Sequence, residues 1–193
     1  RLEIEGRAAH AGVEPERGRS AILEAAHKTV ALQALNGRWP GVTVNVGVVH
    51  GGTRPNVVAE RCVLEVDVRS PQEATFAEAG SAVEAIANEH TVPDVTVRSI
   101  GNGWHRPMEK GEGGAKLAAL ATQVAAELGF DLKDAATGGA SDANTTSGAG
   151  VPSLDGLGPI GGDAHGPREW LDLSSVVPRI SLLAGLLSRL EGI

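Results

Sequence analysis

The order of predicted strands and helices in the first hundred residues constrains the fold of this chain most. Hydrophobic and polar residues alternate with period two in four segments, which predicts strands at 2–5, 42–48, 62–68 and 95–100. Apolar residues at helical spacing predict two helices between them, at 19–36 and 71–86. The resulting β-α-β-β-α-β order is that of a ferredoxin-like, four-stranded antiparallel sheet backed by two helices. We therefore predict a complete small α+β domain.

The pattern changes at 101–103, where Gly-Asn-Gly interrupts it. We place a boundary there, between a first domain at 1–102 and a second at 103–193. Helical spacing then predicts a helix around 117–128 and a terminal helix with one wide apolar face, formed by Val176, Ile180, Leu182, Leu183, Leu186, Leu187 and Leu190. Only two short strands are predicted, near Ala135 and Val151, too few for the sheet of an α/β domain. The second segment is therefore expected to be the C-terminal part of such a domain.

Composition excludes several kinds of partner. The chain has a formal net charge of −7 and a pI near 5.4, whereas proteins that bind nucleic acid present a basic surface to the phosphates. No run approaches the ~18 consecutive apolar residues that a membrane-spanning helix needs, so neither nucleic acid nor membrane is an expected partner. The single cysteine, Cys62, lies in phase with apolar strand residues and is expected to be buried. Because Arg1 opens directly onto a strand pattern, we expect a cut N-terminus with any targeting signal upstream, and cytoplasmic residence as the default.

Four short motifs carry polar residues in settings that suit function, and each also has a purely structural interpretation. His10 lies in a loop of small residues after the first strand, and Asn56 lies in a glycine-rich connection between two strands. Arg69 ends an Asp-Val-Arg segment on a strand, and Ser141 follows Gly-Gly in a loop before small residues. Taken singly, they fit an exposed loop histidine, a hairpin turn, a half-exposed strand and a helix cap. The amides around Ser141 could equally bind an anion.

The segment around His165 suits metal ligation. This histidine lies in a glycine-flanked loop before the terminal helix, with Glu169 four residues further on. Neutral imidazole is a preferred zinc ligand, although one histidine is not by itself a metal site. The neighbouring G-x-G-x-x-G at 156–161 contains a proline and is not followed by an apolar-periodic helix, so we reject a dinucleotide site there.

Taken in order, these motifs resemble the dinuclear zinc exopeptidase and amidohydrolase family of glutamate carboxypeptidases and aminoacylases. The matching segments are Gly-Arg-Ala-Ala-His10-Ala-Gly, Gly-Gly-x-x-x-Asn56, Asp67-Val-Arg69, Arg106-Pro107, Gly-Gly-x-Ser141-Asp142 and His165-x-x-x-Glu169. The resemblance covers the whole chain. It implies an α/β catalytic domain that holds two zinc ions, with an inserted ferredoxin-like lid that forms a homodimer.

The resemblance also implies residue roles. His165 would be a zinc ligand, and His10 would polarise the scissile carbonyl. The carboxylate of a small-molecule or peptide substrate would be bound by the remaining residues, Asn56, Arg69, Arg106 and Ser141. The expected parent activity is hydrolysis of an amide in a carboxylate-bearing substrate, closest to the glutamate carboxypeptidase type.

One departure from the family pattern limits what this chain can do alone. Family members carry a His-x-Asp segment, a bridging Asp and a Glu-Glu pair, which supply the other zinc ligands and the general base. The sequence contains neither a Glu-Glu pair nor a His-x-Asp segment. We therefore expect those parts before Arg1, an incomplete zinc site and an inactive fragment. The alternative is a metal-free dimerisation or binding module.

Overall fold

The computed structural model describes residues 1–101 and 105–190. The chain divides into two compact units, Arg1–Pro107 and Met108–Ile193. The predicted boundary between 102 and 103 lies outside the described residues. The first unit contains β1 (Leu2–Glu5), α1 (Ala21–Gln33), β2 (Thr43–Gly51), β3 (Arg61–Arg69), α2 (Glu73–Asn88) and β4 (Thr96–Ser99). The second contains α3 (Glu112–Glu127), α4 (Asp142–Gly148), β5 (Gly161–Gly162), β6 (Trp170–Leu171) and α5 (Val176–Leu187).

The first unit is an antiparallel sheet in the order β2-β3-β1-β4, with α1 and α2 packed on one face. Alternate strand residues point to opposite faces, and one set forms the core with both helices. Its largest buried members are Leu2, Ile4, Leu32, Val44, Cys62 and Leu64. The ferredoxin-like prediction is therefore confirmed, as is the buried position of Cys62.

Helix α1 is shorter than predicted and buries a different face. It begins after Ser20, whose hydroxyl accepts the amide of Leu23 at 3.1 Å and caps the helix. Ile22 and Val30, which were expected to face the core, are exposed. Glu24 and Lys28 are buried in their place. The predicted face was wrong because a charged pair at i, i+4 spacing occupies core positions.

A bulge between Val46 and Val48 shifts the register of β2 against β3. After the bulge Val48 lies opposite Glu65 and is exposed, so the simple alternation predicted for 42–48 ends early. The strand itself continues to Gly51, which pairs with Cys62. A Cβ at Gly51 would lie 2.7 Å from the Arg61 carbonyl oxygen, so this close pairing requires glycine.

In the second unit, α3 and α5 pack together through a narrow seam. The seam consists of small and medium apolar residues, namely Ala121, Val124, Ala125, Leu182 and Leu186. A Cβ at Gly185 would lie 2.6 Å from a methyl group of Val124, which explains a glycine within α5. The wide face predicted for this helix is therefore only partly buried: Ile180, Leu183 and Leu187 are exposed.

The strands predicted near Ala135 and Val151 were wrong, since both residues lie outside strands in the structure. Pro152 follows Val151 and has no amide hydrogen to donate to a neighbouring strand. The unit instead forms a short hairpin in which Gly161 pairs with Leu171 and Gly162 with Trp170. Within the described residues, no helix has the length and apolar character needed to cross a membrane.

Candidate functional site

The structure brings the loops of His10 and Asn56 side by side. His10 forms an isolated antiparallel bridge with Val57. The amide of Ala11 donates to the carbonyl oxygen of Asn56 at 3.0 Å, and the amide of Val58 donates to that of Ala9 at 2.9 Å. Two residues that the sequence assigned to one site are therefore adjacent in the fold.

Two glycines allow the chain segments around His10 to approach closely. A Cβ at Gly6 would lie 2.1 Å from the carbonyl oxygen of Arg19, where the backbones of Arg7 and Arg19 exchange hydrogen bonds of 2.9 Å. A Cβ at Gly18 would lie 2.8 Å from the methyl groups of Val58. The small residues of this loop therefore serve packing between backbones.

The His10 side chain is held at one ring nitrogen and exposed elsewhere. Its Nδ1 accepts the amide hydrogen of Gly12 at 3.2 Å. Its carbonyl oxygen accepts the amides of Val13 at 3.3 Å and Glu14 at 3.1 Å. The imidazole is exposed at the surface of the unit. The ring is therefore tethered to its own loop yet accessible to a ligand.

Arg54 lies in the same turn as Asn56 and was missed by the sequence analysis. The amide of Val57 donates to the Arg54 carbonyl oxygen at 3.1 Å, which closes a four-residue turn. The guanidinium is exposed, and it forms no ion pair or hydrogen bond with any residue that the structure describes. Its position two residues before Asn56 in the quoted glycine-rich motif was the available signal. The His10 end of the unit thus carries an uncommitted positive charge.

Arg69 and Arg106 lie elsewhere and have acidic partners. Arg69 ends β3, and its Nε lies 2.6 Å from a carboxylate oxygen of Asp67. The Nε of Arg106 lies 3.9 Å from a carboxylate oxygen of Glu73. Asn56 precedes β3, and a nine-residue strand spans about 26 Å at ~3.3 Å a step. Within one subunit the structure therefore does not bring Arg69 to the site of Asn56.

Ser141 caps α4. Its hydroxyl accepts the amide of Ala143 at 3.2 Å, and its own amide donates to the side chain of Asn144 at 2.9 Å. This reciprocal arrangement is a capping box. The helix-cap interpretation of the motif is therefore confirmed, and a role for Ser141 in substrate binding stays a prediction.

His165 lies in a strained turn between β5 and β6. Asp163 and His165 have φ values of 54° and 64°, in the left-handed region that non-glycine residues seldom adopt. The Gly166 amide closes the turn by donating to the Asp163 carbonyl oxygen at 3.0 Å. A Cβ at Gly162 would lie 2.7 Å from the Trp170 indole nitrogen, so the hairpin also requires glycine. Strain of this kind often marks a residue held for function.

The donors of this chain do not by themselves fit a zinc ion. Zinc prefers four ligands from His, Cys, Asp and Glu, and no group of three such side chains converges within 1–101 and 105–190. His165 is exposed and could supply one imidazole. No catalytic step is therefore derived through a metal held by these residues alone.

Residues 1–95 match the family model of the peptidase dimerisation domain of M20 peptidases. The N-terminal unit belongs to this family. The match covers the sheet, both helices and the paired loops of His10 and Asn56. The resemblance to glutamate carboxypeptidases and aminoacylases is thereby confirmed.

Relatives with M20-type hydrolase activity cover both units. The chain is 28% identical over 188 residues to carboxypeptidase G2 of Pseudomonas sp., which is 96% of this chain and 45% of that protein. It is 38% identical over 92 residues to one component of the p-aminobenzoyl-glutamate hydrolase of Escherichia coli, which is 45% of this chain and 21% of that polypeptide. A tripeptidase crystal structure from Staphylococcus aureus aligns with a TM-score of 0.68 at 27% identity, over 96% of this chain and 49% of its own. The chain therefore spans less than half the length of each relative.

Proposed function

We propose that this chain is part of a zinc-dependent amide hydrolase of the glutamate carboxypeptidase type. The observation that carries the proposal is the pairing of the His10 and Asn56 loops within a peptidase dimerisation domain. A loop pairing needed only for folding gives no reason for an exposed imidazole with one tethered nitrogen. A donor aimed at a substrate carbonyl does.

In this proposal each residue has a defined chemical task. Zinc, when bound, lowers the pKa of its water ligand and so supplies a nucleophile at neutral pH. His165 would hold the metal together with ligands from outside this sequence. His10 would donate a hydrogen bond to the carbonyl oxygen as negative charge develops there. Asn56 would bind the substrate carboxylate, with Arg69 and Arg106 as the other proposed contacts.

Arg54 supplies a cation that the substrate can use directly. Guanidinium binds carboxylate through two parallel hydrogen bonds, and this one has no acidic partner among the described residues. By contrast, Arg69 and Arg106 would first have to leave Asp67 and Glu73. We therefore add Arg54 to the proposed carboxylate contacts.

The proposed substrate is an N-acyl amino acid or peptide with a free carboxylate. Two relatives support this class by their names: one is a carboxypeptidase and the other hydrolyses p-aminobenzoyl-glutamate. Both names describe an amide next to a carboxylate. The Arg54 guanidinium in the turn of Asn56 fits that charge.

We further propose that the N-terminal unit forms a homodimer and that His10 acts in the active site of the partner subunit. Strand β2 is an edge of the sheet, and its free backbone groups can pair with another strand. Val48 and Val49 on this strand and Val30 on α1 are exposed apolar residues, 45%, 54% and 72% accessible. Burial of such residues would favour association.

Assays of the 193-residue chain and of a complete protein that contains it test the proposed function. After dialysis, the complete protein should retain zinc and hydrolyse acyl-glutamate substrates, and a chelator should abolish turnover. The chain alone should do neither. Absence of metal and turnover in the complete protein would favour the metal-free binding module instead.

A further inference from the structure

The amide of Gly12 makes an unusual contact for an exposed loop. It donates to the Nδ1 atom of His10, two residues earlier, at 3.2 Å. The backbone on both sides is fixed, because the His10 carbonyl accepts two amides and the His10 backbone bridges to Val57. Donor and acceptor are therefore both held in place.

This contact selects one form of the imidazole. A neutral histidine has one nitrogen that donates and one that accepts, and the partner of one nitrogen decides which is which. Since Nδ1 accepts from Gly12, the proton belongs on Nε2. Within the described part of the chain, Nε2 has no hydrogen-bond partner. The ring therefore presents a free N–H to whatever lies against this loop.

We propose that Gly12 is a positioning residue that keeps His10 in its Nε2-protonated form, the form that donates to a carbonyl oxygen. The use of that donor rests on the proposed function, whereas the tautomer itself does not. A histidine in the other tautomer would present a lone pair to the carbonyl oxygen and repel it. The backbone amide thus decides whether His10 can assist the reaction.

The structure offers a matched pair of variants at this position. A Cβ at Gly12 would meet the His10 ring at 3.8 Å and 3.9 Å, which is ordinary van der Waals contact. Gly12 also lacks a positive φ. Gly12→Ala should therefore be tolerated and keep the amide hydrogen. Gly12→Pro removes that hydrogen and nothing else polar.

The test is ring ¹⁵N spectroscopy of the 193-residue chain with labelled histidine, about two pH units above the ordinary histidine pKa of ~6.5 so that imidazoles are neutral. His10→Gln assigns the signals. In wild type and Gly12→Ala, Nδ1 should have the shift of an unprotonated nitrogen and couple through the hydrogen bond to the amide nitrogen of residue 12. In Gly12→Pro, the ratio of Nε2–H to Nδ1–H forms should fall by about fivefold, as for loss of one neutral hydrogen bond.

Two results would overturn the proposal. One is a protonated Nδ1 in the wild-type chain, which needs no variant. The other is an unchanged tautomer ratio in Gly12→Pro when its circular dichroism matches that of Gly12→Ala. Turnover by the complete protein is a separate readout: Gly12→Pro should lower kcat more than it raises KM. A fixed tautomer without any turnover would refute the proposed function and leave the role of Gly12 standing.

Discussion

The ammonium group of Lys28 lies 3.0 Å from a carboxylate oxygen of Glu24 inside the N-terminal unit, where both side chains are at most 2% exposed. The ammonium also donates to the carbonyl oxygens of Ile86 at 2.8 Å and Glu89 at 2.7 Å. The other Glu24 oxygen accepts the amide of Val92 at 2.8 Å. This buried pair therefore joins α1 to the end of α2.

Replacement of Lys28 by methionine should destabilise the unit strongly. The Glu24 carboxylate would stay buried without its cation, which typically costs about 3–5 kcal/mol. Urea unfolding followed by circular dichroism measures the loss. The matched control is Lys116→Met, since Lys116 and Glu112 have the same i, i+4 spacing and 3.0 Å separation but are exposed. The control should change stability by less than about 1 kcal/mol, and an equal effect of both variants would contradict the role of burial.

The same pair predicts how stability depends on pH. Burial tends to raise the pKa of Glu24, but hydrogen bonds from Val92, Lys28 and Thr91 outweigh it and lower the pKa below its usual value. A lowered pKa in the folded state contributes stability above the unfolded pKa of ~4.3, and this is lost as the pH falls through the folded value. His90 is the other titratable group nearby, with Nδ1 3.7 Å from the carboxylate.

Unfolding free energies from about pH 6 down to pH 3 test this prediction. Wild type should lose stability steeply below about pH 5, and Glu24→Gln should show a shallower slope because its side chain does not titrate. Parallel slopes for the two proteins would show that Glu24 does not govern the acid response.

The sequence predicted the sheet well because each strand has one buried face and one exposed face. The same reasoning failed for α1, where Glu24 and Lys28 look like solvent-facing residues until their partners on other segments are known. It also failed for α5, whose apolar residues surround most of the helix and so do not reveal which of them meet α3. Patterns of hydrophobicity report burial only where polar residues avoid the core.

The candidate site was predictable in part. Motif order pointed to His10 and Asn56, and the fold places their loops together. The separation of Asn56 from Arg69 was not foreseen, because motifs record order and not the length of the strand between them. Arg54 was missed because only the structure shows that its guanidinium lacks an acidic partner among the described residues.

Replacement of Gly6 by alanine should disturb the His10 loop. The added Cβ would meet the Arg19 carbonyl oxygen at 2.1 Å, so the backbones must separate, at a cost of about 1–3 kcal/mol. Gly80→Ala is the matched control, because Gly80 lies within α2 with nothing near its Cβ position. That change should stabilise by about 0.5–1 kcal/mol. Thermal unfolding of the two variants measures both effects, and equal melting temperatures would contradict the close approach at Gly6.

Replacement of Arg54 by glutamine should weaken substrate binding in the complete protein. Loss of a charged hydrogen-bond donor to a carboxylate costs about 1.5–3 kcal/mol, or roughly 10- to 100-fold in kcat/KM. Most of that loss should come from KM. Arg61→Gln is the control, since Arg61 is also exposed in this unit but begins β3. Equal kinetics for both variants would remove Arg54 from the site.

Co-expression of two inactive forms of the complete protein tests most directly whether a dimer shares its active sites. His165→Ala should abolish zinc-dependent turnover, and His10→Ala should lower kcat by about 10²–10³-fold. Random pairing makes roughly half of the dimers mixed, and one of two sites in each would combine an intact His165 with the partner's intact His10. We predict recovery of about a quarter of wild-type activity. Activity no higher than the mean of the two separate mutants, with mixed dimers shown to be present, would contradict the shared site.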